Sequence, residues 1–149
     1  MVDASPSTIQ RAPQGAGRLT DACYVDLPSH RDARGVLTAV ESGQDVPFDI
    51  KRLYLVHDIV ADRGGHAHRD TTQVVTAVSG RCDLVLTDGT DERTLALEHP
   101  ARGVLIGPML FIRMTNFTPG TVVLSMANTH YDTSRSIRTW DDYLAVIRS

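Results

Sequence analysis

The residues best able to do chemistry stand together in Asp62-Arg63-Gly64-Gly65-His66-Ala67-His68-Arg69, followed by Gln73 and Gly80. On a β-strand, residues two apart point to one face, so this spacing predicts that His66 and His68 project into a single cavity. The glycine pair ahead of them permits a sharp entry to that strand and close approach of a ligand. Imidazole, with an unperturbed pKa of about 6.5, suits proton transfer near neutral pH. The other histidines, His30, His57, His99 and His130, lack a partner at such spacing and read as structural or exposed.

A pair of projecting imidazoles needs a rigid wall, and the rest of the chain supplies strands. Short apolar runs rich in Val, Ile, Leu and Thr mark candidate strands at Val36–Val40, Ile50–His57, Gln73–Val78, Cys82–Thr87, Thr94–Leu97, Gly103–Ile106, Leu110–Met114 and Thr121–Ala127. Asp88-Gly89 predicts a hairpin, because glycine tolerates positive φ in a tight turn, and Thr118-Pro119-Gly120 marks a second turn. Many short strands with almost no helical periodicity indicate a sandwich or barrel. One helix closes the chain. Trp140, Tyr143, Leu144 and Ile147 make an apolar stripe, Thr139 stands at the N-cap, and Asp141 and Asp142 lie in the first turn. This helix is expected to cover an end of the barrel.

With 149 residues the chain is of single-domain length and long enough to bury a core without staples. Residues 1–20, rich in Ser, Pro, Gly, Ala and Gln, read as a flexible leader, and 21–149 as the one domain. A net charge of −3 argues against a dedicated nucleic-acid binder. The longest uncharged apolar-rich run, Gly103 to Ile112, falls far short of the ~20 residues of a membrane span. Nothing near the N-terminus serves as a signal-peptide core. Cys23 and Cys82 make neither a disulfide framework nor a zinc pattern. A cytoplasmic location is the expectation.

The spacing H-x-H-x4-Q-x6-G resembles the first motif of the cupin family, a small double-sheet barrel. Metal-binding cupins usually carry a glutamate where this chain has Gln73, and a further histidine in a second motif. Here the matching region, Gly103 to Ile112, has Ile112 near where that histidine falls. Two imidazoles and a neutral amide are too few donors for a tight metal site without outside help. Metal-free acid–base chemistry therefore leads, with no metal ligand and no cofactor assigned.

Further segments narrow the resemblance. Asp32-Ala33-Arg34-Gly35 through Glu41, Val46-Pro47-Phe48 through Tyr54, Arg63 to His68, Asp88-Gly89, Gly107-Pro108, and Tyr131-Asp132 leading to Ile137-Arg138 together resemble the sugar-nucleotide 3,4-ketoisomerases, which act on dTDP-4-dehydro-6-deoxyglucose. The matches run in order from about Asp21 to Leu144. The resemblance implies an all-β cupin double-stranded β-helix (jelly-roll) barrel with a short C-terminal helix. It implies a homodimer, often with exchanged N-terminal strands. The activity implied moves the keto group of a dTDP-4-keto-6-deoxyhexose from C4 to C3 through an enediol, in deoxysugar and aminodeoxysugar biosynthesis.

By the same resemblance, His66 is the base between C3 and C4, and His68 assists or relays protons between the sugar oxygens. Tyr54 holds or protonates an enediol oxygen. Arg34, Arg52, Arg63 and Arg138 match arginines suited to pyrophosphate, whose oxygens the planar guanidinium fork pairs two at a time. Gln73 is expected to hydrogen-bond the sugar or to brace a histidine tautomer, and Phe111 to stack on base or sugar. Relatives commonly carry tryptophan and a polar residue at Phe111-Ile112, and acidic and aromatic residues at Arg135-Ser136, where this chain adds cationic charge near the expected pyrophosphate. Two other classes compete: a non-catalytic sugar-nucleotide-binding cupin and a metal-dependent cupin enzyme. The intact set of His66, His68 and Tyr54 speaks against the first, since binding alone does not require it.

Overall fold

The computed structural model describes residues 17–149; the leader expected over residues 1–20 lies mostly outside them. The strands are β1 (Cys23–Asp26), β2 (Ser29–Asp32), β3 (Gly35–Thr38), β4 (Arg52–Val56), β5 (Arg63–His68), β6 (Gln73–Ser79), β7 (Cys82–Thr87), β8 (Glu92–Leu97), β9 (Arg102–Ile106), β10 (Phe111–Thr115), β11 (Val122–Ala127) and β12 (Ser136–Ile137), and the helix is α1 (Trp140–Ile147). One five-stranded sheet has the order β1-β9-β6-β11-β4, the other β12-β5-β10-β7-β8, and β2 and β3 form a separate hairpin. From β4 onward the chain passes back and forth between the sheets, and every pairing is antiparallel. This is the cupin-like jelly-roll. No helix among the described residues is long and apolar enough to cross a membrane.

The main core fills the space between the sheets with Val75, Ala77, Leu84, Leu86, Leu97, Val104, Ile106, Ile112 and Val123. Both outer faces are covered too. Leu27, Val46 and Phe48 pack on Val74, Leu105 and Met126 of the first sheet. Across the second, Tyr143 of α1 packs with Ala67, Phe111 and Ile137. Strands buried on both faces read as continuous apolar runs rather than alternating ones, which is why β6, β7 and β9 were legible. The helix therefore lies against an outer sheet face instead of capping the barrel end. Its N-cap is as expected, with Thr139 Oγ1 accepting from Asp142 N at 3.1 Å.

Three strands escaped the sequence pattern. β2, Ser-His-Arg-Asp, is almost wholly exposed, β12 has two residues, and β1 is short and half-exposed. The packed body begins before residue 21, because Leu19 is buried in the main core. The β7–β8 hairpin has a four-residue loop, Asp88 to Asp91, since Thr87 pairs with Glu92. The Asp88 carboxylate accepts from the N–H groups of Thr90 and Asp91 at 2.9 and 2.8 Å. Gly89 (φ 94°) suits this turn because residues with a Cβ rarely adopt that conformation.

Candidate active site

The site is built at the free edges of the two sheets, β4 on one side and β12–β5 on the other. β5 enters through a bulge, where the register against β10 shifts between Ile112 and Arg113. Gly64 (φ 95°) makes this possible: a Cβ there would lie 2.6 Å from the Ile112 carbonyl oxygen. Past the bulge the alternation predicted from sequence holds. Ala67 turns to the outer face and is fully buried under α1, while His66 and His68 turn inward.

A cavity of about 530 Å³ opens over these histidines, within the usual range for small-molecule sites. Arg52 and Tyr54 of β4 line the facing wall, and Tyr131, Ser136 and Arg138 complete the rim. The two imidazoles meet edge to face, ring centres 4.8 Å apart. Ser136 Oγ lies 3.3 Å from His68 Nδ1, while His68 Nε2 is buried with no hydrogen-bond partner among the described residues. Arg52 Nε is orphaned in the same way. Two buried polar nitrogens left open on facing walls of one cavity are what a bound polar ligand would satisfy.

Electrostatics keep both imidazoles neutral at pH 7. Burial lowers His68 to about 4, helped by the neighbouring His66, Arg52 and Arg138. Burial also lowers His66, with the Arg138 and Arg63 charges adding to it and a backbone hydrogen bond at Gly64 opposing it. A neutral imidazole keeps a free lone pair at pH 7 through which it can accept a proton, though the lowered pKa makes it a weaker base than free imidazole. The guanidinium groups of Arg52 and Arg138 make the same cavity attractive to an anion.

Of the nine residues expected at the site, five line this cavity: His66, His68, Tyr54, Arg52 and Arg138. Gln73 sits deeper, in the barrel interior behind Tyr54 and His66, where its Oε1 accepts from Tyr54 Oη at 3.2 Å. It braces the tyrosine, where a sugar contact or a histidine tautomer had been expected. Arg63 does not line the cavity, though its charge bears on His66. Arg34 is at the tip of the β2–β3 hairpin, exposed and paired with Asp32 at 2.6 Å, outside the cavity. Phe111, expected to stack on base or sugar, does not line this cavity. It lies on the opposite face of the sheet, buried against Trp140 and Tyr143 with ring centres 5.2 Å from each.

The expected extra cation near the pyrophosphate is also spoken for. Arg135 is held by Asp70 at 2.7 Å and Asp132 at 3.4 Å. Sequence reasoning did not assign Tyr131, Ser136 or Ser125. Tyr131 carried a signal in the Tyr131-Asp132 match, but serines inside short polar or apolar runs carry none.

The FdtA family profile (WxcM-like, C-terminal) matches residues 20–148. The TDP-4-oxo-6-deoxy-alpha-D-glucose-3,4-oxoisomerase of Aneurinibacillus thermoaerophilus is 35% identical over 114 residues, covering 75% of this chain and 82% of that protein. A solved 3,4-ketoisomerase from Helicobacter canadensis is 33% identical with a TM-score of 0.83, over 87% of this chain and 98% of its own. The sugar 3,4-ketoisomerase QdtA from Thermoanaerobacterium thermosaccharolyticum, in complex with TDP, is 32% identical with a TM-score of 0.84, over 88% and 97%. A histidine-to-asparagine mutant of QdtA, solved in complex with TDP-4-keto-6-deoxyglucose, matches at 31% identity and the same TM-score over 88% and 96%. With nearly its whole length matched by the profile, the chain belongs to the FdtA family.

Proposed function

We propose that this chain is a sugar-nucleotide 3,4-ketoisomerase whose proton transfers run through His66 and His68. The observation that carries the reading is the pair of desolvated imidazoles, 4.8 Å apart, on the wall of an open cavity that Tyr54 and two arginines share. The substrate class, a TDP-4-keto-6-deoxyhexose, follows from the named relatives and fits the chemistry of the lining.

The C3 proton of such a sugar is acidic because it lies beside the C4 ketone. His66 removes it, the electron pair forms the C3–C4 double bond, and the C4 oxygen takes a proton to give the enediol. Delivery of a proton to C4 while the C3 hydroxyl gives up its own then produces the C3 ketone. No electrons leave the sugar, so the balance needs no oxidant or reductant. His68, beside His66 and hydrogen-bonded to Ser136, relays protons between the two sugar oxygens. Arg52 and Arg138 take the pyrophosphate. General acid–base groups positioned in this way contribute roughly 10²–10⁴-fold each.

Homodimerisation belongs to the same reading. It is supported by apolar side chains that face solvent in the single chain, Leu53 (57%) and Leu55 (54%) on the edge strand β4 and Val36 and Leu37 on the β2–β3 hairpin. A hairpin crossing to a partner would also give Arg34 a route to a substrate that it does not reach within its own chain. Sedimentation of the native protein and of Leu53→Asp/Leu55→Asp tests this: a dimer that the double substitution dissociates is expected, and a native monomer contradicts it.

Proton NMR of the protein with TDP-4-keto-6-deoxyglucose tests the activity. Appearance of the 3-keto sugar is expected. Binding shifts without conversion would instead make the chain a non-catalytic sugar-nucleotide binder.

A further inference from the structure

Behind the cavity and beside His66, the polar side chains of Tyr54, Gln73 and Ser125 meet in a largely apolar interior. Gln73 and Ser125 are 2% and 1% exposed, in a chamber they share with Tyr54, His66, Val75, Leu84, Ile112, Met114 and Val123. Burying polar groups there costs stability unless they bond one another, and apolar residues of similar volume would fill the space without that cost. All three do bond. Gln73 Oε1 accepts from Ser125 Oγ at 2.8 Å and from Tyr54 Oη at 3.2 Å. The register makes the meeting possible, since Ser125 on β11 stands opposite Tyr54 on β4, and Gln73 comes from β6 on the other side of β11.

We propose that Ser125 is a positioning residue that acts through Gln73 to hold Tyr54 as a hydrogen-bond acceptor facing the sugar; this rests on the isomerase reading above. The polarity of the chain of bonds follows from counting protons. A carboxamide presents an acceptor oxygen on one side and two N–H donors on the other. The Ser125 hydroxyl has no acceptor among the described residues except Gln73 Oε1. With the amide turned over, that buried serine proton would have nowhere to go, so Ser125 fixes the oxygen toward the two hydroxyls. Tyr54 then gives its one proton inward to Gln73, and its lone pairs are left for the cavity. A phenol so committed receives a hydrogen bond from a substrate hydroxyl and does not protonate it. Of the two roles open to Tyr54, holding an enediol oxygen and protonating it, the clamp selects holding. Ser125 lines the inner chamber and not the substrate cavity, so its influence reaches the reaction only through its partners.

Steady-state rates of Ser125→Ala, Tyr54→Phe and the double variant test the assignment. Ser125→Ala is expected to lower kcat about fivefold, the rate equivalent of one neutral hydrogen bond, with KM unchanged. In the Tyr54→Phe background the same change is expected to cost nothing further, because the group it orients is gone. An equal loss in both backgrounds, or a raised KM at unchanged kcat, would overturn the proposal. A readout independent of turnover is the side-chain NH₂ resonance of Gln73, assigned by its loss in Gln73→Leu. It is expected to move in both Ser125→Ala and Tyr54→Phe, and a resonance unmoved by either variant overturns the clamp. If the unaltered protein converts no 4-keto sugar nucleotide, the isomerase reading fails and the resonance alone decides the clamp.

Discussion

Replacing His68 with asparagine should flatten the dependence of folding stability on pH, by an amount the structure sets. The His68 imidazole ordinarily titrates at 6.5, and burial beside His66 lowers it to about 4. The unfolded chain therefore takes up a proton near the ordinary value while the folded chain does not. The stability contribution is complete above pH 6.5 and is lost as pH falls from there through 4. At 1.36 kcal/mol per pH unit, the whole span is worth about 3 kcal/mol, and about 2 kcal/mol of it falls between pH 7 and pH 5. Urea unfolding of the native protein and of His68→Asn at pH 7, 6 and 5 reads this directly. His66 is present in both proteins, so the difference between the two slopes reports His68. The native protein is expected to lose about 2 kcal/mol more than the variant over that range. Parallel slopes would mean that His68 takes up a proton as readily in the folded chain as in the unfolded one, and would refute the argument for a neutral, desolvated imidazole.

Other outcomes follow from the same geometry. Because both imidazoles are lowered from 6.5, the acid limb of kcat/KM should lie below pH 6.5, and a limb above it would contradict the electrostatics. His66→Asn should cost roughly 10²–10⁴-fold in kcat while calorimetric binding of TDP persists, since the cavity-lining Arg52 and Arg138 are untouched. With two imidazoles and one amide as the donor set, turnover should be unchanged after exhaustive chelation; loss on chelation with rescue by a divalent metal would overturn the mechanism. Phe111→Ala should destabilise the fold by about 3–5 kcal/mol and leave KM for the sugar nucleotide unchanged, because the ring packs under α1 on the far face of the sheet.

How much of this was legible in the sequence depended on whether the signal was periodic. The buried strands announced themselves through apolar runs, and β7 matched its expected bounds residue for residue. The period-2 rule puts His66 with His68, and Arg52 with Tyr54, on shared strand faces, and all four line the cavity. It did not reveal which sheet face Phe111 would take, because β10 is buried on both faces and its pattern carries no inside or outside. Arg34 was assigned by motif alone, and a motif does not say which chain's site a hairpin tip reaches. The exposed β2 and the two-residue β12 lack the burial that makes strands periodic. Ser125 was hidden because one small polar residue in an apolar strand looks the same whether it hydrogen-bonds its own strand or orients a glutamine on the neighbouring strand.

The most direct test of the central claim, that His66 takes the proton from C3, is a single-turnover comparison of TDP-4-keto-6-deoxyglucose carrying hydrogen or deuterium at C3. In the native protein, ketone transfer to C3 is expected to be several-fold slower for the deuterated sugar, and His66→Asn is expected to transfer either one roughly 10²–10⁴-fold more slowly. Equal rates for the two sugars, or transfer at close to the native rate in His66→Asn, would contradict it.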